Sequence, residues 1–173
     1  MNMKTTIISL VLLVVIAGTG YYFVYPYFNT IEVDDELPMG MTEAQTAPAD
    51  ADANGQADIE STTSAQGAEV VVVGPFSVED TPAHPASGNV RVFKNTNETV
   101  IRYENYDTIN GPNLHVYLAK DLEANEYIDL GPIKGTTGNI NYTIPEGIDI
   151  EEYPFLLTWC VPFGVLFNYA ELR

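Results

Sequence analysis

The chain is poor in cysteine and in basic residues. Its 173 residues include one cysteine, Cys160, one tryptophan, Trp159, and seven Lys and Arg against 24 Asp and Glu, for a formal charge of −17. A single cysteine excludes a disulfide within the chain and the CxxCH pattern that attaches c-type haem. The negative charge repels phosphate backbones, which excludes nucleic acid as a partner.

Motifs for hydrolytic and nucleotide chemistry are missing as well. The chain has no Gly-rich phosphate loop and no HExxH or GxSxG pattern. Glu151 and Glu152 follow a loop, where a solvated rim is a simpler interpretation than paired acid–base catalysis. We therefore expect neither a hydrolase nor a nucleotide-binding enzyme.

Charged residues are absent between Lys4 and Glu32, and the apolar run IISLVLLVVIAGTGYYFVYPYF fills most of that gap. As a helix this run would span about 33 Å, close to the thickness of a bilayer core. We predict a transmembrane anchor at 1–28, single-pass in the cytoplasmic membrane. The N-terminus would lie inside and the rest of the chain outside. A cleaved signal peptide, with AGTG as the cleavage region, is the alternative.

Residues 29–68 are rich in Ala, Thr, Asp, Gln and Gly. Ten carboxylates and no basic residue lie between Glu32 and Glu69. Such a composition buries too little apolar surface to offset the entropy of an ordered chain. We predict that 29–68 is a disordered acidic linker.

Residues 69–173 read as one all-β domain. Short runs rich in Val, Ile, Tyr, Phe and Thr alternate with Gly, Pro and Asn clusters. The spacing predicts a compact β-sandwich or barrel-like domain of about 7–8 strands. In LHVYLA (114–119) the leucines and Val116 share one face, opposite His115. In the run that ends at Cys160, the cysteine and Trp159 point to opposite faces.

Four blocks in series resemble the DM-thirteen family, also called the electron-transfer DM-thirteen family: GPF…HPASGNV, NGPNLHVYL, DLGPIKGTTGNINYTIP and YPFLLTWCVPFGVLFNYAEL. The resemblance covers roughly 74–172 in a single copy. It implies a small extracytoplasmic β domain, often joined to redox domains, in which Cys160 matches a cysteine with a proposed redox role. A separate envelope redox protein would be the electron partner. The family fixes no cofactor, and haem or copper are the candidates.

Cys160 is open to three interpretations from the residues themselves. It is a buried structural residue, a redox or ligand group, or half of a disulfide between two chains. With His84 and His115 it would complete a His2Cys copper set, but no His or Met follows Cys160 at cupredoxin spacing. We keep His115, His84 and Trp159 as weaker site candidates.

Two functions from different classes follow. One is a redox or electron-transfer accessory domain that acts through Cys160. The other is a non-catalytic cell-envelope recognition or assembly module in which Cys160 is structural. Asn97 and Asn141 each begin an Asn-x-Thr triplet in or beside a predicted turn, and both are possible glycosylation sites.

Overall fold

The computed structural model describes residues 3–25, 29–37, 60–63 and 69–173. Helix α1 is Met3–Val24, and a short 3-10 helix is Ile150–Glu152. The strands are β1 Glu32–Asp34, β2 Glu60–Thr63, β3 Glu69–Asp80, β4 Ala86–Lys94, β5 Thr99–Thr108, β6 Leu114–Ala119, β7 Tyr127–Pro132, β8 Thr137–Thr143, β9 Phe155–Cys160 and β10 Val165–Glu171. Eight of them, β3 to β10, lie in the fully described stretch 69–173, so the prediction of an all-β domain is confirmed.

The strands form one curled sheet that resembles half of a barrel. Nine strands follow the order β1-β8-β5-β4-β3-β10-β9-β6-β7, and β2 pairs with β3 beside that path. Among these nine, neighbouring strands are antiparallel except β1 and β8, which are parallel. The sequence predicted either a β-sandwich or a barrel-like domain. The structure is a single sheet that curls around its own core.

The twelve-residue strand β3 joins the two halves of the sheet. Its register against β4 shifts between Val73 and Phe76. Gly74 lies at this shift with φ of +111°, and a Cβ there would sit 2.8 Å from the carbonyl oxygen of Val90. The bend therefore requires glycine, because any side chain would collide with the neighbouring strand.

The core lies between the two halves of the curled sheet. Its buried residues include Val90, Ile101 and Ile140 from one half and Val116 and Leu156 from the other. The face assignments for LHVYLA and for the run before Cys160 are confirmed. The inward side chains are buried in the core, and the outward ones form a separate cluster.

A polar network crosses this core. The Tyr106 hydroxyl donates to Oδ1 of Asn168 at 3.0 Å and lies 3.0 Å from Oγ1 of Thr158, while Nδ2 of Asn168 donates to Oγ1 of Thr108. Tyr106 has one proton to donate, so Thr158 is the donor in their contact. Burial raises the pKa of Tyr106 to about 12.

Residues 29–37, here called the N-terminal strap, belong to the domain. Strand β1 pairs with the start of β8, and the Ile31 carbonyl accepts hydrogen bonds from the amides of Thr136 and Thr137. Further along, the Asp35 carbonyl accepts from Nη1 of Arg102 at 2.8 Å. Leu37 packs on a small cluster of β3, β4 and β5 residues.

The strap differs from the sequence prediction, which placed 29–37 in a disordered linker. Residues 60–63 are also paired, as β2, and the rest of 29–68 lies outside the described residues. The physical reason is that polar side chains and main-chain groups far along the chain bind the acidic segment. Composition alone does not reveal such partners.

Helix α1 has 22 residues, and its large apolar side chains are exposed. Within the described part of the chain, no helix is long and apolar enough to cross a membrane. The predicted membrane anchor thus stays a prediction.

Candidate redox site

Cys160 ends β9, and its side chain lies on the inner face of the sheet. The residue is fully buried. Its cross-strand neighbour on β6 is Leu114, and with Leu114 and Phe167 it forms a small apolar cluster that Ile109 and Ile133 border. The thiol therefore lies in a dry environment of hydrocarbon side chains.

The surroundings of the sulfur favour the protonated thiol. Burial raises the pKa of Cys160, and a hydrogen bond from the Phe163 backbone opposes that shift only in part. Sγ lies 3.3 Å from the Pro112 carbonyl oxygen, to which the thiol donates. Because the thiolate is the form that attacks disulfides and binds metals, burial and the raised pKa both disfavour reaction at Cys160 in this structure.

A tight loop at 161–164 follows Cys160 and connects β9 to β10. Cys160 pairs with Val165, and the Gly164 amide donates to the Cys160 carbonyl at 2.9 Å. Gly164 has φ of +60°, which glycine adopts at no steric cost. The side chain of Phe163 is 58% exposed, with Val161 at 40% and Val165 at 39%. A buried sulfur thus lies directly beside an exposed apolar loop.

Trp159 and His115 lie together on the outer face of the sheet. They are paired across β9 and β6. Tyr117 stacks on Tyr127 with ring centroids 4.1 Å apart, and Trp159 lies 6.3 Å from Tyr117. The outer face therefore carries a row of aromatic rings, separated from Cys160 by the sheet itself.

His115 is oriented by Asp129. Its Nδ1 lies 2.9 and 3.0 Å from the two carboxylate oxygens, and the Gly131 amide donates to the same carboxylate. A carboxylate oxygen accepts hydrogen bonds, so Nδ1 of His115 is the donor in both contacts. Sequence reasoning missed Asp129, Tyr117 and Tyr127 as site residues. Alternation within β7 could have placed Asp129 and Tyr127 on the same face of that strand. It could not have predicted that β7 pairs with β6.

His84 lies at a different place, in the turn between β3 and β4. Its ring stacks on Phe167 with centroids 3.8 Å apart. The Thr81 hydroxyl donates its hydrogen to the Phe167 carbonyl, with Oγ1 2.8 Å from the carbonyl oxygen. Nδ1 of His84 lies 2.9 Å from the same Thr81 Oγ1, so Nδ1 is the donor in that contact. Burial lowers the pKa of His84. The Phe167 ring therefore lies in contact with both His84 and the cluster that contains Cys160.

The three candidate metal donors do not converge. His115 lies on the outer face, Cys160 on the inner face, and Phe167 packs against both His84 and the cysteine. In residues 3–25, 29–37, 60–63 and 69–173, no three His, Cys, Asp or Glu side chains form a metal-binding group. The residues present fit neither a His2Cys copper site nor haem on Cys160, whose sulfur is packed on all sides.

The domain matches a known protein family. The family model of electron transfer DM13 matches residues 76–172. The chain belongs to this family. A search of curated proteins and a search of solved structures each found no match. The resemblance seen in the sequence is confirmed, with a single copy of the DM13 domain.

The DM13 match begins inside β3 and ends at the last residue before Arg173, so it leaves out the strap. Yet strap residues supply a parallel strand and cover the polar side chains of β8. The structural unit is therefore larger than the DM13 match at its N-terminal side.

A polar cleft of about 350 Å³ opens where the strap meets the DM13 domain. Its lining includes Asn29 of the strap, Ser87 of β4, Asp107 near the end of β5 and Asn110 just after that strand. Asn110 donates to the Asn29 carbonyl, and Asp107 accepts from Thr137. Two of the polar groups that line the cleft, Asn110 and Asp107, are therefore already held by hydrogen bonds.

The two glycosylation candidates differ in accessibility. Asn97 is exposed in the turn between β4 and β5. Asn141 lies within β8, where its Nδ2 donates to the Glu36 carbonyl at 2.7 Å and its Oδ1 accepts from Arg102. A glycan on Asn141 would displace the strap, so Asn97 is the better acceptor in the folded chain.

Proposed function

We propose that this chain is an extracytoplasmic redox accessory protein whose DM13 domain takes part in electron transfer. Membership in the electron transfer DM13 family, over 76–172, is the observation that carries the proposal. Cys160 is the candidate redox or ligand residue, because it matches the family cysteine. Its electron partner would be a separate envelope redox protein.

Cys160 can act in this role only if its sulfur becomes accessible. The Phe163 backbone hydrogen bond holds the 161–164 loop to the sulfur. The Val161 amide donates to the Asn113 carbonyl at 3.2 Å, and the Gly164 amide donates to the Cys160 carbonyl. Opening the loop would break these main-chain bonds while β9 and β10 stay paired along the rest of their length, so it can occur as a local event. A disulfide between two chains would need the same opening.

A thiol and cofactor measurement tests this role. The purified full chain in detergent is examined for visible absorption and metal content, and Cys160 is titrated with a thiol reagent at increasing denaturant. We expect a thiol that reacts in the native state, through local opening of the loop, at a rate insensitive to low denaturant. Cys160→Ser is the control that removes the signal. A colourless, metal-free chain whose thiol reacts only through global unfolding would contradict a redox role for Cys160.

The burial of Cys160 favours a second candidate function. In a non-catalytic recognition or assembly module, Cys160 would fill space beside Leu114 and Phe167 and do no chemistry. Cys160→Ala would then lower stability by about 1 kcal/mol and leave partner binding unchanged. Loss of electron transfer in a folded Cys160→Ala chain would contradict this alternative.

We further propose that the chain is anchored in the cytoplasmic membrane through α1, with the N-terminus inside. The uncharged stretch between Lys4 and Glu32 supports this location, as do the exposed apolar side chains of α1. The chain should remain with membranes during alkaline carbonate extraction, and a Leu12→Asp, Val15→Asp variant should be released. Extraction of the unaltered chain would contradict anchoring, and N-terminal sequencing distinguishes an anchor from a cleaved signal peptide.

A further inference from the structure

The two ends of the domain differ in charge. The entry end, where the chain arrives from α1, comprises 29–31, 81–87, 107–114, 133–137 and 160–166. Hydrogen bonds join these segments: Asn110 to Asn29, the Thr108 hydroxyl to the Pro85 carbonyl, the Thr136 amide to Ile31 and the Val161 amide to Asn113. The entry end contains one acidic residue, Asp107, and one basic residue, Lys134.

The opposite end, here called the far end, is strongly acidic. It comprises 94–99, 119–127, 144–154 and 171–173, which hydrogen bonds and an ion pair between Lys120 and Glu152 bring together. These segments carry nine carboxylates and three basic residues. Much of the negative charge of the domain is therefore concentrated away from α1.

The entry end also carries most of the exposed apolar surface of the domain. In the fully described stretch 69–173, the exposed large hydrophobic side chains are Tyr127, Val161, Phe163 and Val165. Val161 and Phe163 lie in the 161–164 loop after Cys160, and Val165 is the first residue of β10. An exposed phenylalanine flanked by valines, on a surface with almost no charge, matches the chemistry of a membrane interface.

Chain length keeps this end near α1. Val24 is the last residue of the helix, and Asn29, whose carbonyl is bound to Asn110, follows five residues later. Five extended residues reach at most about 18 Å. A bilayer that holds α1 therefore lies within that reach of the entry end.

We propose that the entry end of the domain rests on the membrane, with the Val161–Val165 loop inserted among the lipid head groups. The inference rests on the membrane anchoring by α1 proposed above. The far end then points away from the bilayer, which keeps its carboxylates distant from anionic lipids. Cys160, directly behind the inserted loop, would lie close to the membrane surface, on the side from which a membrane-embedded partner would approach.

Fluorescence quenching by brominated lipid tests the orientation. Trp159→Phe removes the single native tryptophan, and one reporter is then introduced per variant into the full chain. Phe163→Trp probes the loop, and Tyr127→Trp probes an exposed aromatic position at the far end. Tyr22→Trp probes α1 independently. Val161→Trp serves as a second loop reporter if Phe163→Trp does not fold.

We expect emission from the loop reporter to fall to about half in phosphatidylcholine vesicles that contain brominated chains, compared with unbrominated ones. The Tyr22→Trp emission should also fall, and the Tyr127→Trp emission should stay unchanged. Quenching at Tyr22→Trp without quenching in the loop would overturn the orientation and leave anchoring intact. No quenching at either would overturn both. A loop reporter shielded from aqueous iodide but not quenched by brominated lipid would mean that protein covers the loop, which also overturns the proposal.

Discussion

Gly138 allows the strap to dock, and its replacement gives the sharpest test of the fold. Gly138 lies in β8 with φ of +112°, and a Cβ there would sit 2.0 Å from the Val33 carbonyl oxygen. Gly131 in β7 has φ of +107° and nothing within 4 Å of such a Cβ. Gly131→Ala therefore imposes similar backbone strain without touching the strap, and it is the matched control for Gly138→Ala.

The difference between the two variants measures the strap. Each alanine should cost about 1–3 kcal/mol in backbone strain. In Gly138→Ala the clash is with main chain, which cannot rotate away, so β1 must leave β8. The strongest bond lost is the charge-assisted one from Arg102 to the Asp35 carbonyl, about 1.5–3 kcal/mol. We expect Gly138→Ala to lower the free energy of unfolding by about 2 kcal/mol more than Gly131→Ala.

Denaturant unfolding gives this difference, and amide hydrogen exchange shows its origin. The amides of Thr136 and Thr137 donate to Ile31, and that of Asn141 donates to Oδ2 of Asp35. These three amides should lose protection in Gly138→Ala and keep it in Gly131→Ala. Retained protection in Gly138→Ala, or an equal loss in both variants, would refute the role of the strap.

Three further predictions concern the core and the surface. Tyr106→Phe removes the hydroxyl that donates to the buried Oδ1 of Asn168 and accepts from Thr158, and it should cost about 1–3 kcal/mol in denaturant unfolding. Tyr127→Phe should be nearly neutral, and equal costs in the two variants would contradict the network. The pKa of Tyr106 is raised to about 12 in the folded state, so the folded chain keeps a proton that the unfolded chain loses above about pH 10. The free energy of unfolding should therefore fall between pH 10 and 12. This fall should be smaller in Tyr106→Phe. In a host that glycosylates Asn-x-Thr, mass spectrometry of the folded chain should find a glycan at Asn97 and little at Asn141.

Local patterns predicted the faces of the strands well. Alternation with a period of two is imposed by the strand itself, so LHVYLA and the run before Cys160 could be assigned to faces from sequence. The strap could not be predicted in this way. Its acidic residues read as solvated linker, and they are ordered by Arg102, Thr136 and Asn141, which lie far along the chain. Such non-local pairing leaves no periodic signal at the segment itself.

The candidate site likewise contains features that local sequence predicted and contacts that it could not predict. Cys160 was singled out by its uniqueness and its family resemblance, and its opposite orientation to Trp159 followed from alternation. The stacking of His84 on Phe167 and the pairing of His115 with Asp129 depend on which strands are neighbours. Strand order is decided by the packing of the whole sheet, so these contacts became visible only in the folded domain.

The pairing of β1 with β8 also sets an order of assembly. The hydrogen bond between the Ile31 amide and Oγ1 of Thr136 joins residues 105 positions apart. During synthesis at about 5–20 residues per second, the strap emerges several seconds before its partner strand. Strand β1 can therefore pair with β8 only late in synthesis. A refolding experiment should show the core forming in a fast phase and the strap amides becoming protected in a slower one, because closing so long a loop is costly before other contacts exist.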